Sequence, residues 1–356
     1  MKHTDERTRP VPPPLSRETV RLVDRHGRRR AHPSFAVPDP AVLAELHRAM
    51  VIGRRFNQQT GDLARAGRLA VHPSSTGREA AQVGGVLALR AQDWLFPGYR
   101  DGVAMITHGV DPLETLALFR GDRRCGYDPH RHRCAPPSTP LAANASHAVG
   151  LTYAARTKGR DVAALVLMGD GTTGEGDVHE AYDFAAVWNT PVVFLVQTDQ
   201  RTAGVPPHDA GPAPTSTRAT VGSDVRGYRV DGNDAAAVYA VVARALAEAR
   251  AGEGPAIVEA LTHRVDRHTD ADLFQRHRDD GEAAYRAERD PLLRSEALLR
   301  GERIVDDGVL EAYERDAARV TVAVDDRLAG EDGHEPSSSS PSPDAHAEVR
   351  PMPARR

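Results

Sequence analysis

Two hydrophobic patterns divide the chain, and the first of them is helical. Asp39-Pro40 predicts a helix N-cap followed by a first-turn proline. The apolar residues that follow at helical spacing are Leu43, Leu46 and Met50. Two later segments, GREAAQVGGVLAL (77–89) and GVDPLETLALFRG (109–121), predict further helices. We therefore expect the amino-terminal region to be helical.

From about residue 161 the pattern changes to short apolar runs that alternate with helical stretches. The runs are VAALVLMG (162–169), PVVFLVQ (191–197), GYRVDG (227–232) and PAIVEALTHRV (255–265). One of the intervening stretches is DAAAVYAVVARALAEARAG (234–252). Alternation of this kind predicts an α/β fold, a doubly wound and mostly parallel sheet with helices on both faces.

Two acids occupy special places in this predicted sheet. Asp170 lies between two glycines at the end of one strand, and Asp199 ends the next. The helix between them has one apolar face, formed by Val178, Ala181, Tyr182, Ala185 and Trp188. Such a helix packs on the sheet and joins adjacent parallel strands. Both acids are therefore expected at the carboxyl edge, where open parallel sheets bind ligands.

The glycine-rich turn at 169–174 allows two chemical interpretations and a structural one. Gly169, Gly171 and Gly174 spell the G-x-G-x-x-G fingerprint of dinucleotide-binding proteins. Asp170 would then place a carboxylate beside a pyrophosphate, and the two anions repel. A Mg²⁺ ion between them removes that conflict, because it accepts oxygen ligands from carboxylates and phosphates. A plain surface turn is the third possibility.

Composition limits the classes of protein. A chain of 356 residues with 40% hydrophobic content can bury a sizeable core. The regions 1–36 and 331–356 lack periodicity and are expected to be an extension and a disordered tail around a folded part at 37–330. The net charge of −4 gives no case for nucleic-acid binding. Neither a transmembrane stretch nor a signal peptide is present, so we expect a cytoplasmic location.

Four segments in order carry a resemblance to a known family. They are FPGYRDGVAMITHGVDPLETLALFRGD (96–122), TPLAANASHAVGLTYAARTKGRDVAALVLMGDGTTGEGDVHEAYDFAAVWNTPVVF (139–194), YRVDGNDAAAVYAVV (228–242) and EALTHRVDRHT (259–269). Together they resemble the alpha subunit of the decarboxylating component of 2-oxo acid dehydrogenase complexes. The similarity covers about residues 20 to 325, and the branched-chain type is nearest, with the pyruvate type next.

The resemblance implies thiamine diphosphate and Mg²⁺ as cofactors. Asp170 matches the acidic metal ligand of the family's GDG motif, and Gly171 and Thr172 match the turn that meets the diphosphate. Tyr99 and Arg100 match the YR pair that contacts the diphosphate, and an arginine fork suits phosphate oxygens. From the residues alone, Tyr99 and Arg100 could equally be a surface pair.

Two further residues match functional positions of the family. Leu141 matches the apolar residue that holds the cofactor bent, although as a lone leucine it could be core. His268 matches the active-site histidine, although it could be a solvated loop residue. The implied role of His268 is proton transfer and orientation, together with cofactor contact, because imidazole titrates near working pH.

The sequence departs from the family pattern after the second strand. Asp199 replaces a metal-ligating amide, and Arg201 replaces a tyrosine whose backbone carbonyl binds the metal. We therefore place Asp199 and Arg201 in the metal site with Asp170. Gln197 replaces an arginine on the diphosphate, Ala143 lacks a hydroxyl expected near a monovalent-cation site, and the family's histidine pair is reduced to His268.

The implied activity is oxidative decarboxylation of a 2-oxo acid, as in branched-chain amino acid degradation, with acyl transfer to a lipoyl group. The implied partners are a beta subunit, in an alpha2-beta2 heterotetramer, and a lipoyl-bearing acyltransferase component. The alternatives are a non-catalytic paralogue that keeps the fold and a nicotinamide-dependent oxidoreductase that uses the glycine fingerprint.

Overall fold

A five-stranded parallel sheet forms the centre of the protein. The computed structural model describes residues 18–122, 124–199, 225–263 and 289–331. The strands are β1 Trp94–Phe96, β2 Ala164–Gly169, β3 Val192–Asp199, β4 Arg226–Asp231 and β5 Ala256–Thr262. They lie in the order β1-β2-β3-β5-β4, and all neighbours pair in parallel. The predicted α/β fold with a parallel sheet is confirmed.

Helices pack on both faces of this sheet. In the described ranges they are α1 Pro40–Arg65, α2 Glu79–Leu87, α3 Gly102–Thr107, α4 Pro129–His132, α5 Ala143–Thr157, α6 Gly176–Trp188, α7 Ala235–Arg250, α8 Pro291–Gly301 and α9 Asp307–Glu331. The predicted helix at 109–121 is a 3₁₀ helix, Glu114–Arg120. None of the described helices is both long and apolar enough to cross a membrane.

Alternate residues of each central strand face two separate cores, as a doubly wound sheet requires. In β2, Leu165 and Leu167 pack towards α2 and α7. Val166 and Met168, which point the other way, pack against α5 and α6. The predicted face of α6 is buried except for Trp188, which ends the helix and keeps 37% of its surface exposed.

The folded part starts earlier than residue 37, the boundary that the sequence predicts. Val20, Leu22 and Val23 are buried in the cores, and Val20 bridges to Val230 at the edge of β4. A short apolar segment without periodicity gives no helix or strand signal, which explains the difference. The expected tail is 331–356; Glu331 ends the last helix, and the rest lies outside the described residues.

Asp234 attaches this amino-terminal segment to the sheet domain. Its carboxylate accepts hydrogen bonds from the backbone N–H groups of Leu22 at 2.8 Å and Val23 at 2.7 Å. It also accepts from Ala237 at 3.1 Å and so caps the amino terminus of α7. Burial and the nearby negative charge of Asp231 raise the pKa of Asp234, while the positive charge of Arg294 and the hydrogen bonds from Val23 and Ala237 lower it.

We expect Asp234→Ala to destabilise the protein by about 3 kcal/mol, because it leaves the buried N–H groups of Leu22 and Val23 without an acceptor and removes the cap of α7. Asp306, an exposed residue that accepts from Val309 at the start of α9, provides a matched control. Asp306→Ala should cost about 1 kcal/mol, the usual value for a lost N-cap. Urea unfolding followed by circular dichroism measures both, and equal losses would contradict the special role of Asp234.

Candidate functional site

The carboxyl ends of β2 and β3 lie side by side, as predicted. Gly169, the last residue of β2, is in register with Gln197 of β3. Asp170 follows Gly169 directly, and β3 continues to Asp199. The structure therefore brings the backbones of two of the three predicted metal residues, Asp170 and Asp199, to one edge of the sheet. The side chain of Asp199 is not among those described, and Arg201 and His268 lie outside the described residues.

Asp170 is half-buried at the start of a 3₁₀ helix, Asp170–Gly174, that leads into α6. Its carboxylate accepts a hydrogen bond from the backbone N–H of Gly171 at 2.9 Å. Within the described ranges no basic side chain forms an ion pair with it. The fold therefore leaves this charge uncompensated by any described cation.

Open space surrounds the glycines of this turn. A Cβ atom built on Gly169, Gly171 or Gly174 would have no atom of the described residues within 4 Å, and none of the three has a positive φ. Neither backbone strain nor helix–strand contact explains why these residues are glycines. In the dinucleotide fingerprint the third glycine permits close packing of helix on strand, and Gly174 makes no such contact. The geometry therefore disfavours the nicotinamide alternative, and the described residues leave room for a ligand beside Asp170.

Thr172, the other predicted turn residue, is 2% exposed within the same 3₁₀ helix. Thr172 is thus buried in the turn, whereas its neighbour Gly171 is exposed. The backbone of Gly171 is thus the accessible part of this pair.

Tyr99 and Arg100 follow β1 and do not form an exposed surface pair. Arg100 is 6% exposed and donates from Nη1 to the carbonyl of Ser74 at 3.0 Å. Its guanidinium carbon lies 5.4 Å from the centre of the half-buried Tyr99 ring. A buried arginine that stacks on a neighbouring ring is restricted in orientation, which suits recognition of a fixed anion.

Leu141 is 42% exposed, so it is not core. It precedes α5, and Asn144 of that helix donates to the carbonyl of Pro97 at 2.6 Å. A bridge between Gly98 and Ser138 joins the same two segments. These contacts place the Leu141 segment beside the Tyr99–Arg100 loop.

Sequence reasoning missed Asp101, which is 3% exposed and follows Arg100 directly. Its carboxylate accepts from Gln197 at 2.8 Å, from Gln82 at 2.9 Å and from the backbone N–H of Gly98 at 2.8 Å. Burial raises the pKa of Asp101, and the hydrogen bonds from Gln197 and Gly98 and the charges of Arg78 and Arg100 lower it. An acid next to the YR pair was the available signal.

The described residues contain no group of three or more His, Cys, Asp or Glu side chains that could hold a metal by themselves. A single carboxylate, Asp170, is nevertheless compatible with a Mg²⁺ site. Mg²⁺ usually binds one or two carboxylates and completes its shell with phosphate oxygens and water.

A parallel α/β sheet with a carboxylate and a glycine-lined opening at its carboxyl edge defines the general class, a ligand-binding α/β protein. Comparison with known sequences identifies the family. The chain belongs to the Dehydrogenase E1 component family, whose sequence model matches residues 47–330. Membership implies thiamine diphosphate as the cofactor.

Two relatives represent the similar curated proteins. The chain is 40% identical over 283 residues to the 3-methyl-2-oxobutanoate dehydrogenase subunit alpha of Mycobacterium tuberculosis, covering 79% of this chain and 77% of that protein. It is 32% identical over 311 residues to the pyruvate dehydrogenase E1 component subunit alpha of Staphylococcus aureus, covering 86% and 84% respectively. The predicted family resemblance is confirmed.

Proposed function

We propose that this chain is the alpha subunit of a 2-oxo acid dehydrogenase that uses thiamine diphosphate with Mg²⁺. The observation that carries the proposal is Asp170, a carboxylate at the carboxyl edge of the sheet that has no ion pair among the described residues and follows a glycine that none of them crowds. A branched-chain 2-oxo acid is the favoured substrate, because similarity is higher to the 3-methyl-2-oxobutanoate enzyme than to the pyruvate enzyme. Pyruvate is the next candidate.

Asp170 and the glycine turn after it fit the two cofactors. Asp170, the side chain of Asp199 and the backbone carbonyl of Arg201 would supply oxygen ligands to Mg²⁺. The backbone of Gly171 and Thr172 would face the diphosphate, and Tyr99 and Arg100 would donate to it. Leu141, exposed beside them, would support the organic part of the cofactor.

Bound thiamine diphosphate supplies the carbon nucleophile and the electron sink that decarboxylation of a 2-oxo acid requires. The chain itself binds, orients and neutralises charge. Arg100 places a positive charge at the loop after β1, and Asp170 would hold the Mg²⁺ ion that offsets repulsion between its carboxylate and the diphosphate. His268 would hold or move a proton during acyl transfer to the lipoyl group.

The proposed partners are a beta subunit and a lipoyl-bearing acyltransferase component. Exposed apolar side chains in the described ranges concentrate on the α5–α6 side of the sheet: Leu141, Tyr153, Phe184, Val187 and Trp188. The rings of Tyr153 and Phe184 stack on Trp188 with centroid distances of 4.6 and 4.7 Å. Clustered exposed aromatics are typical of protein interfaces, so we assign this surface to the beta subunit.

The first test is calorimetric titration of thiamine diphosphate with Mg²⁺ into the full chain purified with its beta subunit. Asp170→Ala should weaken Mg²⁺-dependent binding by more than the roughly 10- to 100-fold typical of outer-shell changes, because it removes a direct ligand. Asp177→Ala, which removes an exposed acid from the first turn of α6, is the matched control and should bind normally. Unchanged binding by Asp170→Ala would refute the metal assignment.

A second test addresses His268. His268→Ala should leave thermal stability and cofactor affinity close to those of the parent, while acyl transfer to the lipoyl acceptor falls by about 10²- to 10⁴-fold through loss of proton transfer. Decarboxylation followed with an artificial electron acceptor should fall less. Equal parent and variant rates in the lipoyl assay would remove His268 from the mechanism and favour the non-catalytic paralogue.

If this surface binds the beta subunit, a glutamate should disrupt assembly at an exposed valine on the surface and should not disrupt it at an exposed valine elsewhere. Val187, 74% exposed, belongs to the aromatic surface, and Val322, 56% exposed, lies on α9. Val187→Glu should abolish co-purification of the beta subunit, because it buries a charge in an apolar interface. Val322→Glu should leave it intact. Size-exclusion chromatography of the co-expressed pair distinguishes the two, and normal assembly by Val187→Glu would place the interface elsewhere.

A further inference from the structure

A buried hydrogen-bond network joins the two halves of the proposed cofactor site. One half is the loop after β1 with Tyr99 and Arg100, and the other is the edge formed by β2 and β3. Asp101 lies between them and accepts from the side chain of Gln197, a residue of β3 that is 96 positions away in sequence. This contact therefore couples the loop after β1 to the edge of the sheet.

Asp101 closes the loop that carries the YR pair. One of its carboxylate oxygens accepts from the backbone N–H of Gly98, while its own N–H donates to the Gly98 carbonyl at 3.2 Å. Tyr99 and Arg100 lie between these two anchoring residues. The carbonyl of Arg100 also accepts from the Ser75 hydroxyl at 2.6 Å. The position of Arg100 is thus determined by hydrogen bonds on both sides of it.

The second carboxylate oxygen of Asp101 binds two neutral amides. Gln82, on α2, donates at 2.9 Å and accepts from the backbone N–H of Ala104 at 3.2 Å, which fixes the orientation of its amide. Gln197 donates at 2.8 Å, and its carbonyl oxygen lies 3.3 Å from the Gln82 nitrogen. Gln82 is 0% exposed and Gln197 is 1% exposed. The Gln197 amide is therefore engaged by protein groups and shielded from a ligand.

We propose that Asp101, Gln82 and Gln197 form a positioning network that sets the place of Arg100 relative to the metal-binding edge. Gln197 is in register with Gly169 and lies next to Asp170 along the sheet edge. Its hydrogen bond fixes the position of Asp101 relative to β2 and β3. Asp101 in turn fixes the position of the loop that carries Arg100. Gln197 thus acts on the diphosphate through Asp101 and Arg100 without touching it. This inference rests on the proposed function.

The neutrality of the two donors follows from the charges around Asp101. Arg78 and Arg100 are the cations whose charges act on this carboxylate. The amides of Gln82 and Gln197 satisfy the buried carboxylate oxygen of Asp101 without adding a third cation beside Arg78 and Arg100. Buried carboxylates require such partners, since an unsatisfied charge in a protein interior is costly.

The experiment is a double-mutant cycle on cofactor affinity in the full chain purified with its beta subunit. Gln197→Met keeps the length of the side chain and removes the amide. It should weaken thiamine diphosphate binding at saturating Mg²⁺ by about 10-fold, as outer-shell changes do. In an Arg100→Met background the same substitution should cost less than about 2-fold, because its effect passes through Arg100. Equal costs in both backgrounds would show direct contact and overturn the inference.

Gln59→Met is the matched control. Gln59 is a buried glutamine on α1 that donates to the carboxylate of Asp325 at 2.8 Å and to the carbonyl of Thr321 at 2.7 Å. Its replacement should lower thermal stability as much as Gln197→Met and leave cofactor affinity unchanged. If Gln59→Met weakens binding equally, the effect is general destabilisation and the network has no specific role.

A second variant, Gln197→Asn, tests the same network if Gln197→Met fails to fold. Gln197→Asn retains an amide that is too short to reach Asp101, and it should show the same Arg100-dependent loss. A parent complex that fails to bind thiamine diphosphate overturns the proposed function and this inference together. A parent that binds, with Gln197→Met and Gln197→Asn binding equally well, overturns the network alone.

Discussion

The parallel pairing of β2 with β3 is the constraint on which the candidate site depends. It aligns Gly169 with Gln197, so the chain leaves both strands at one edge. Because each strand is buried on both faces, a shift of one residue would exchange the two cores. The register is therefore fixed by packing along the whole length of the strands. The positions of Asp170 and of the network around Gln197 follow from that register.

Much of the fold was predictable because it depends on local pattern. The spacing of Leu43, Leu46 and Met50 identified α1, and all three are buried. Continuous apolar runs identified the strands, since parallel strands covered on both faces lack polar alternation. The glycine turn with Asp170 was recognisable because strand, turn and helix are contiguous in sequence. Asp199, Arg201 and His268 remain predictions from the family resemblance.

The rest depended on contacts between distant parts of the chain. Asp101 is adjacent to the YR pair in sequence, but only the fold shows its burial, which results from α2, the β1 loop and β3 meeting around it. Asp234 likewise accepts from Leu22, 212 residues away. Neither pairing leaves a periodic signal, so sequence reasoning assigned Gln197 to a lost phosphate contact and residues 18–36 to an extension. Long-range polar contacts decided both matters.

The amino-terminal segment also has a consequence for self-association. Val20 forms main-chain hydrogen bonds with Arg229 and Asp231 along the outer side of β4. At the opposite border of the sheet, Leu95 of β1 exchanges main-chain hydrogen bonds with Arg133 and Ala135. Short irregular pieces thus cover both borders, and a foreign strand finds few unpaired amides there to extend the sheet. Such protection disfavours association of two molecules through the borders of their sheets.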